Sequence, residues 1–175
     1  MNSQDIIIIL FGILTFFLLV ALFFVNRVLL IKQKADIQYE NVKKYIDERI
    51  MLFERMYNFV EENIEEEQKL AAELKEANER LSDVLKTNVY DLKELKRTKK
   101  LFAKFVKLGS IYPHLNKNQI YKLISDETEI NVERIEYSID SYDKIAKEYN
   151  EFKKTKLNSF ISKMLKLSDY DYYNK

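Results

Sequence analysis

Few side chains in this sequence are of the kinds that make or break bonds, and their spacing does not suit the task. The single histidine, His114, follows Pro113. A metal site would want several ligands at set intervals, and a di-iron bundle would want Glu-x-x-His pairs, but position 111 is Ile111. His114 therefore reads as an exposed loop residue. The absence of cysteine removes thiolate ligands, cysteine nucleophiles and disulfides. No glycine loop of the phosphate-cradling kind is present. No Ser-His-Asp set assembles around one histidine. Glu61, Glu62, Glu65, Glu66 and Glu67 would collect divalent cations weakly, but one helix cannot turn all five inward, so they read as a solvated face. The expectation is a protein with no catalytic, cofactor or metal site, and not an enzyme.

What must position the rest is the stretch Ile6 to Val25. It holds 20 residues without a charge, seventeen of them Leu, Ile, Phe or Val. At about 1.5 Å per residue such a helix spans roughly 30 Å, the hydrocarbon thickness of a bilayer. No Lys or Arg precedes it and no small-residue cleavage site comes after it, so it reads as a retained anchor rather than a signal peptide. Arg27, Lys32 and Lys34 lie just beyond it, against Asp5 alone ahead. Basic flanks stay cytoplasmic, which places the N-terminus outside, those three residues at the membrane interface, and the large remainder in the cytoplasm. The expected organisation is an extracytoplasmic 1–5, a span over 6–25 running on toward 31, a helical domain over 36–167, and a frayed tail over 168–175.

Two glycines and one proline are too few for a turn-rich fold, and 33% charged residues with heptad patterning favour long helices. Positions 46, 50, 53, 57, 60, 64, 67, 71, 74, 78, 81 and 85 form a seam interrupted only by Glu67 and Asn78. The seam phase favours a turn near Thr87-Asn88, while matching helix lengths favours one near residue 72. A compromise lies at Asn78 to Ser82, where either residue could cap a new helix. A second helix carries Leu92, Leu95, Phe102, Phe105 and Val106 on one face. Its polar side holds Lys93, Lys96, Arg97, Lys99, Lys100, Lys104 and Lys107. These read either as partners of acids such as Glu73, Glu76 and Glu79 or as an interaction face for an anionic partner. Gly109 suits a helix end and Pro113 a loop. A third helix runs from about Asn118 to Lys154, and a short one covers Phe160 to Leu167, with Phe160, Met164 and Leu167 on one face. The fold class is all-α: an N-terminal transmembrane helix, then an antiparallel bundle of three long helices plus a short C-terminal helix.

The loop and third helix resemble the LemA family of membrane-anchored bacterial proteins. Tyr112-Pro113 with Leu115 matches its Tyr-Pro-x-Leu motif, and Asn118 and Tyr121 match the positions just after that motif. Arg134-Ile135, Tyr142 and Tyr149-Asn150 match the series on its next helix, and Arg49, Leu52 and Met56 fit an upstream segment. The resemblance covers most of residues 36–167. Departures fall at Glu54, Arg55, Ser110, Ile139 and Asp143, and a proline usual near Lys156 is missing. The resemblance implies a tethered antiparallel helical bundle and no particular reaction. The tyrosines read as core, with Asn118 or Asn150 as hydroxyl partners.

Outside residues 1–35 the acidic and basic residues nearly balance, which argues against a nucleic-acid binder. The expected partners are the lipid bilayer and other membrane or cytoplasmic proteins. Two alternatives are a self-associating coiled-coil scaffold and a lipid-surface module built on Phe160 to Leu167.

Overall fold

The computed structural model describes residues 3–87 and 92–173, and only the backbone at 3, 156, 157, 160 and 161. The described residues are mostly helical and contain no strand. The helices are α1 (Ser3–Asn63), α2 (Gln68–Thr87), α3 (Leu92–Ile111), α4 (Gln119–Lys154) and α5 (Lys156–Met164). Short 3-10 turns occupy Glu65–Glu67 and Pro113–Lys117. The chain divides into two compact units: a central one, Tyr39–Asp140, and a terminal one, Met1–Gln38 with Ser141–Lys175.

In the central unit the seam positions Ile46, Phe53, Val60, Ile64, Ala71, Leu74 and Leu81 are buried, as the 3.5-residue spacing requires. Phe53 stacks on Phe102 at 4.8 Å, and Phe105 meets Tyr121 at 5.4 Å. The order of contacts gives the directions. Glu76 pairs with Arg97 and Glu73 with Lys104, so α2 and α3 run oppositely. Arg55 pairs with Glu127 and Glu48 with Arg134, so α1 and α4 do too.

The first break falls earlier than either sequence argument placed it. α1 stops at Asn63, Ile64 turns with φ −142° and ψ 85°, and Glu67 N–H donates to the Ile64 carbonyl at 3.1 Å. The acidic run supplies a reason. Glu61 and Glu62 oppose the negative end of the α1 dipole, whose last turn holds no basic residue, whereas Glu65–Glu67 favour the start of the next helix. Glu61, Glu62, Glu65 and Glu66 are exposed, as expected, while Glu67 is half-buried, and the run is also a boundary. Asn78 and Ser82 are no turn: both lie inside α2, and Ser82 Oγ bonds back to the Asn78 carbonyl at 3.0 Å. α2 ends at Thr87 and α3 starts at Leu92, so of the turn expected near Thr87-Asn88, Asn88 lies outside the described residues. The central unit therefore has four helical segments where three long helices in all were expected.

Gly109 does not end a helix either, since α3 runs through it to Ile111. Its need is space. A Cβ there would lie 2.6 Å from Asn116 Oδ1 and 2.9 Å from the Tyr121 hydroxyl. That hydroxyl accepts from Gly109 N–H at 2.8 Å and donates to the Val106 carbonyl at 2.6 Å, while Asn116 Nδ2 donates to the Gly109 carbonyl. Gly109→Ala should lower stability by about 1–3 kcal/mol, the usual cost of overpacking, visible as a lower thermal midpoint. An unchanged midpoint would mean that the corner relaxes freely.

In the terminal unit, α1 changes character at one residue. Ile6 to Phe23 turn their large apolar side chains outward, up to 73% exposed at Phe23, whereas Phe24 is 3% exposed. From there Phe24, Val28, Ile31 and Ala35 are buried at steps of four, three and four. The first three pack with Ile145, Tyr149, Phe152, Leu167 and Tyr170. Beyond Val25 the helix stays largely apolar to Ile31, but from Phe24 one face of it is covered by protein while Leu29 and Leu30 remain exposed. Phe160 was expected to share a face with Met164 and Leu167; its side chain lies outside the described residues.

Candidate functional site

The family-motif residues singled out from the sequence gather in three places. In the central unit, Arg49 is 2% exposed. Its Nε donates to Asn131 Oδ1 at 2.9 Å and its Nη1 to Thr98 Oγ1 at 3.0 Å, and its guanidinium lies 5.0 Å from the Phe102 ring. Burial pushes its pKa down to about 10, against the raising charge of Glu136. Asn131 Nδ2 in turn donates to the Tyr45 carbonyl at 2.8 Å. The result is a polar brace joining α1, α3 and α4. Beside it an open cleft is lined by Glu48, Met51, Arg55, Glu127, Ile130 and Arg134. The charges there pair with one another: Arg55 with Glu127, and Arg134 with Glu48 at 3.6 Å.

The Tyr112 to Tyr121 segment forms the corner between α3 and α4. Leu115 plugs the core, and Asn118 Oδ1 caps α4 by accepting from Ile120 and Tyr121 N–H at 2.9 and 3.1 Å. Pro113 opens the 3-10 turn. The Tyr112 hydroxyl donates to Glu67 at 3.3 Å, and its pKa is raised by desolvation and then by Glu67 and Glu66. His114 is exposed.

In the terminal unit, Tyr142, Tyr149 and Asn150 hold the C-terminal segment, so 168–173 is docked rather than frayed. Asn150 clamps the Tyr170 backbone from both sides, Nδ2 to its carbonyl at 2.9 Å and Oδ1 from its N–H at 3.0 Å, and donates to the Tyr172 hydroxyl at 2.8 Å. Lys153 Nζ caps the Leu167 and Ser168 carbonyls and pairs with Asp169 at 2.7 Å. The Tyr170 ring meets Tyr149 edge-on at 4.9 Å, and its hydroxyl donates to Asp36 at 2.5 Å. Tyr173 is buried against Tyr142, with its N–H on Asp143.

A family model matches residues 38–175, the docked tail included. The chain belongs to the LemA family. No curated protein and no solved structure matches it. The LemA motif residues thus divide into a buried brace, a helix corner and a clasp on the C-terminal segment. Arg134 is the exception, half-exposed, beside Glu48 and over the Tyr45 ring.

On the basic face of α3, Arg97 and Lys104 are paired with Glu76 and Glu73, and Lys99 with Glu136 at 2.5 Å. Lys93, Lys96, Lys100 and Lys107 are exposed. Of the three basic residues after the apolar run, Arg27 pairs with Glu148 at 3.2 Å, Lys32 with Asp36 at 2.8 Å, and Lys34 is exposed. Sequence reasoning missed Thr98, Asn131, Lys153 and Asp36. Thr98 and Asn131 carried a signal, since they are polar side chains at seam spacing: 95, 98, 102 on one helix and 124, 131, 135 on the other.

Proposed function

We propose that this LemA-family chain is a single-pass protein of a bacterial cytoplasmic membrane, N-terminus outside. Its helical remainder is a non-enzymatic cytoplasmic interaction module. The carrying observation is the helix over Ile6 to Phe23. Its most apolar 18-residue window has a mean hydropathy of 3.2 and none of it is buried, yet the same helix continues without a break into packed protein at Phe24. So much unpartnered apolar surface is covered most simply by lipid. Arg27, Lys32 and Lys34 at the packed end support the orientation, and Lys93, Lys96, Lys100 and Lys107 supply an exposed basic stripe for partner proteins.

The self-associating scaffold draws less support. The seam it would use, Ile46, Phe53 and Val60, is already buried within one chain.

Alkaline carbonate extraction of membranes tests the anchor. The full chain should stay in the pellet, and a chain lacking residues 3–23 should move to the supernatant. Protease added to intact spheroplasts should leave the helical part whole. Digestion there would reverse the orientation, and extraction of the full chain would remove the span.

A further inference from the structure

The corner between α4 and α5 opens a pocket lined by Lys153, Lys154, Ser159, Ser162, Lys163, Lys166 and Leu167, with one carboxylate, Asp169, at its side. Residues 152–167 hold five lysines and no acid. Lys153 is satisfied by Asp169 and two carbonyls. Lys154, Lys163 and Lys166 are exposed, and none makes an ion pair with a described carboxylate. Ser162 is 5% exposed and its Oγ has no hydrogen-bond partner among the described residues. A buried hydroxyl left unpaired inside a basic pocket calls for a ligand or a reason. Lys166 adds a second peculiarity. It closes α5 with φ 51°, Leu167 N–H on the Ser162 carbonyl and Lys166 N–H on the Lys163 carbonyl. Glycine is the usual residue at that left-handed position.

The pocket's level on the molecule selects the ligand. Leu167 packs into the cluster around Phe24, and Phe152 stacks on Phe24 at 5.3 Å. Phe24 is the first covered residue after the exposed apolar run. The pocket therefore lies where α1 would leave the hydrocarbon, a placement that rests on the proposed membrane span. Met164 and Leu165, both exposed, adjoin it and suit the acyl–glycerol boundary.

We propose that this pocket binds the phosphodiester of an anionic phospholipid, with the Ser162 hydroxyl donating to a phosphate oxygen and Lys154, Lys163 and Lys166 supplying the countercharge. The full chain in a non-ionic detergent would be titrated with short-chain phosphatidylglycerol, phosphatidylcholine of equal chain length, or inorganic phosphate. Native mass spectrometry would count the bound molecules. One phosphatidylglycerol should bind at least ~10-fold more tightly than phosphatidylcholine, since each lysine near an anionic surface contributes roughly fivefold. Ser162→Ala and Lys166→Gly should each weaken that binding without lowering the thermal midpoint, because one removes an unpaired buried hydroxyl and the other a strained backbone. Lys100→Ala, on α3, should leave it unchanged.

Equal binding of the two lipids, or indifference to both pocket variants, would overturn the site. Inorganic phosphate binding as tightly as phosphatidylglycerol would make it a free-anion site and overturn the lipid assignment. Carbonate extraction separates the two levels. A chain retained in membranes without phosphatidylglycerol preference loses only the pocket, whereas an extracted chain loses the span.

Discussion

Replacing Arg49 by methionine should lower the unfolding free energy by about 2–4 kcal/mol, and adding Asn131→Leu should return a large part of it. The guanidinium is buried, with its pKa pushed down to about 10 by that burial, and no carboxylate among the described residues hydrogen-bonds it. The charge is therefore costly, and what offsets the cost is its hydrogen bonds to Asn131 and Thr98 and the Phe102 face. Each hydrogen bond to a charged group is worth about 1.5–3 kcal/mol, and a buried acceptor left without one costs about 1–3 kcal/mol. Methionine fills the volume but strands Asn131 Oδ1. Thr98 keeps its own bond to the Leu95 carbonyl at 2.8 Å, so Asn131 is the group that decides. Arg49→Lys should rescue little, since a single ammonium cannot replace a planar fork reaching two helices. Urea unfolding of the detergent-solubilised chain, followed by circular dichroism, measures all three. A single methionine variant as stable as the parent would mean that the brace contributes nothing net.

The legible parts of this fold were those governed by periodic burial. Ile46, Phe53, Val60, Leu74 and Leu81 announce their faces because a helix buries one stripe whatever it packs against. The boundaries were less legible, because nothing local fixed them. No glycine or proline marks Ile64; five carboxylates do, and a carboxylate run looks the same as a wet face or as a helix end. Gly109 was visible as special, but its reason is a tyrosine hydroxyl twelve residues away that leaves no room for a Cβ. The order of the tail was hidden for a related cause. Tyr170, Tyr172 and Tyr173 keep to no helical period, and their partners lie far off, Asp36 at the other end of the chain and Asn150 on α4. The motif residues Tyr142, Tyr149 and Asn150 were found, yet their joint task, holding that segment, needs the tail in view.

Removing residues 170–175 should loosen the terminal unit more than any single substitution in it. The cut uncovers Tyr142 and Tyr149 and removes Tyr173, itself buried. Burying an aromatic of this size is worth about 1.5–3 kcal/mol, so two of them amount to roughly 3–6 kcal/mol of local stability. Amide hydrogen exchange over 141–154 should accelerate about 100-fold or more, with the central unit unchanged. Asn150→Ala should give a smaller change in the same amides, since it loses the Tyr170 clamp and the Tyr172 bond but keeps the rings. The clasp should also respond to pH at both ends. Tyr170 is held protonated well above the ordinary tyrosine value, by burial and then by its bond to Asp36. Its contribution is whole below about pH 10 and is lost as pH rises through the raised value. Partial burial would raise the Asp36 carboxyl, but hydrogen bonds from Lys32 and Tyr170 outweigh it and hold the group below its ordinary range. That contribution is whole above about pH 4 and is lost as pH falls through the lowered value. Protection of 141–154 should therefore stay level between those limits and fall outside them. Tyr170→Phe should shrink the alkaline limb and leave the rings packed, the remainder coming from Tyr149, whose hydroxyl burial also holds protonated. An alkaline limb unchanged by Tyr170→Phe would mean that the Tyr170–Asp36 bond contributes nothing to the clasp.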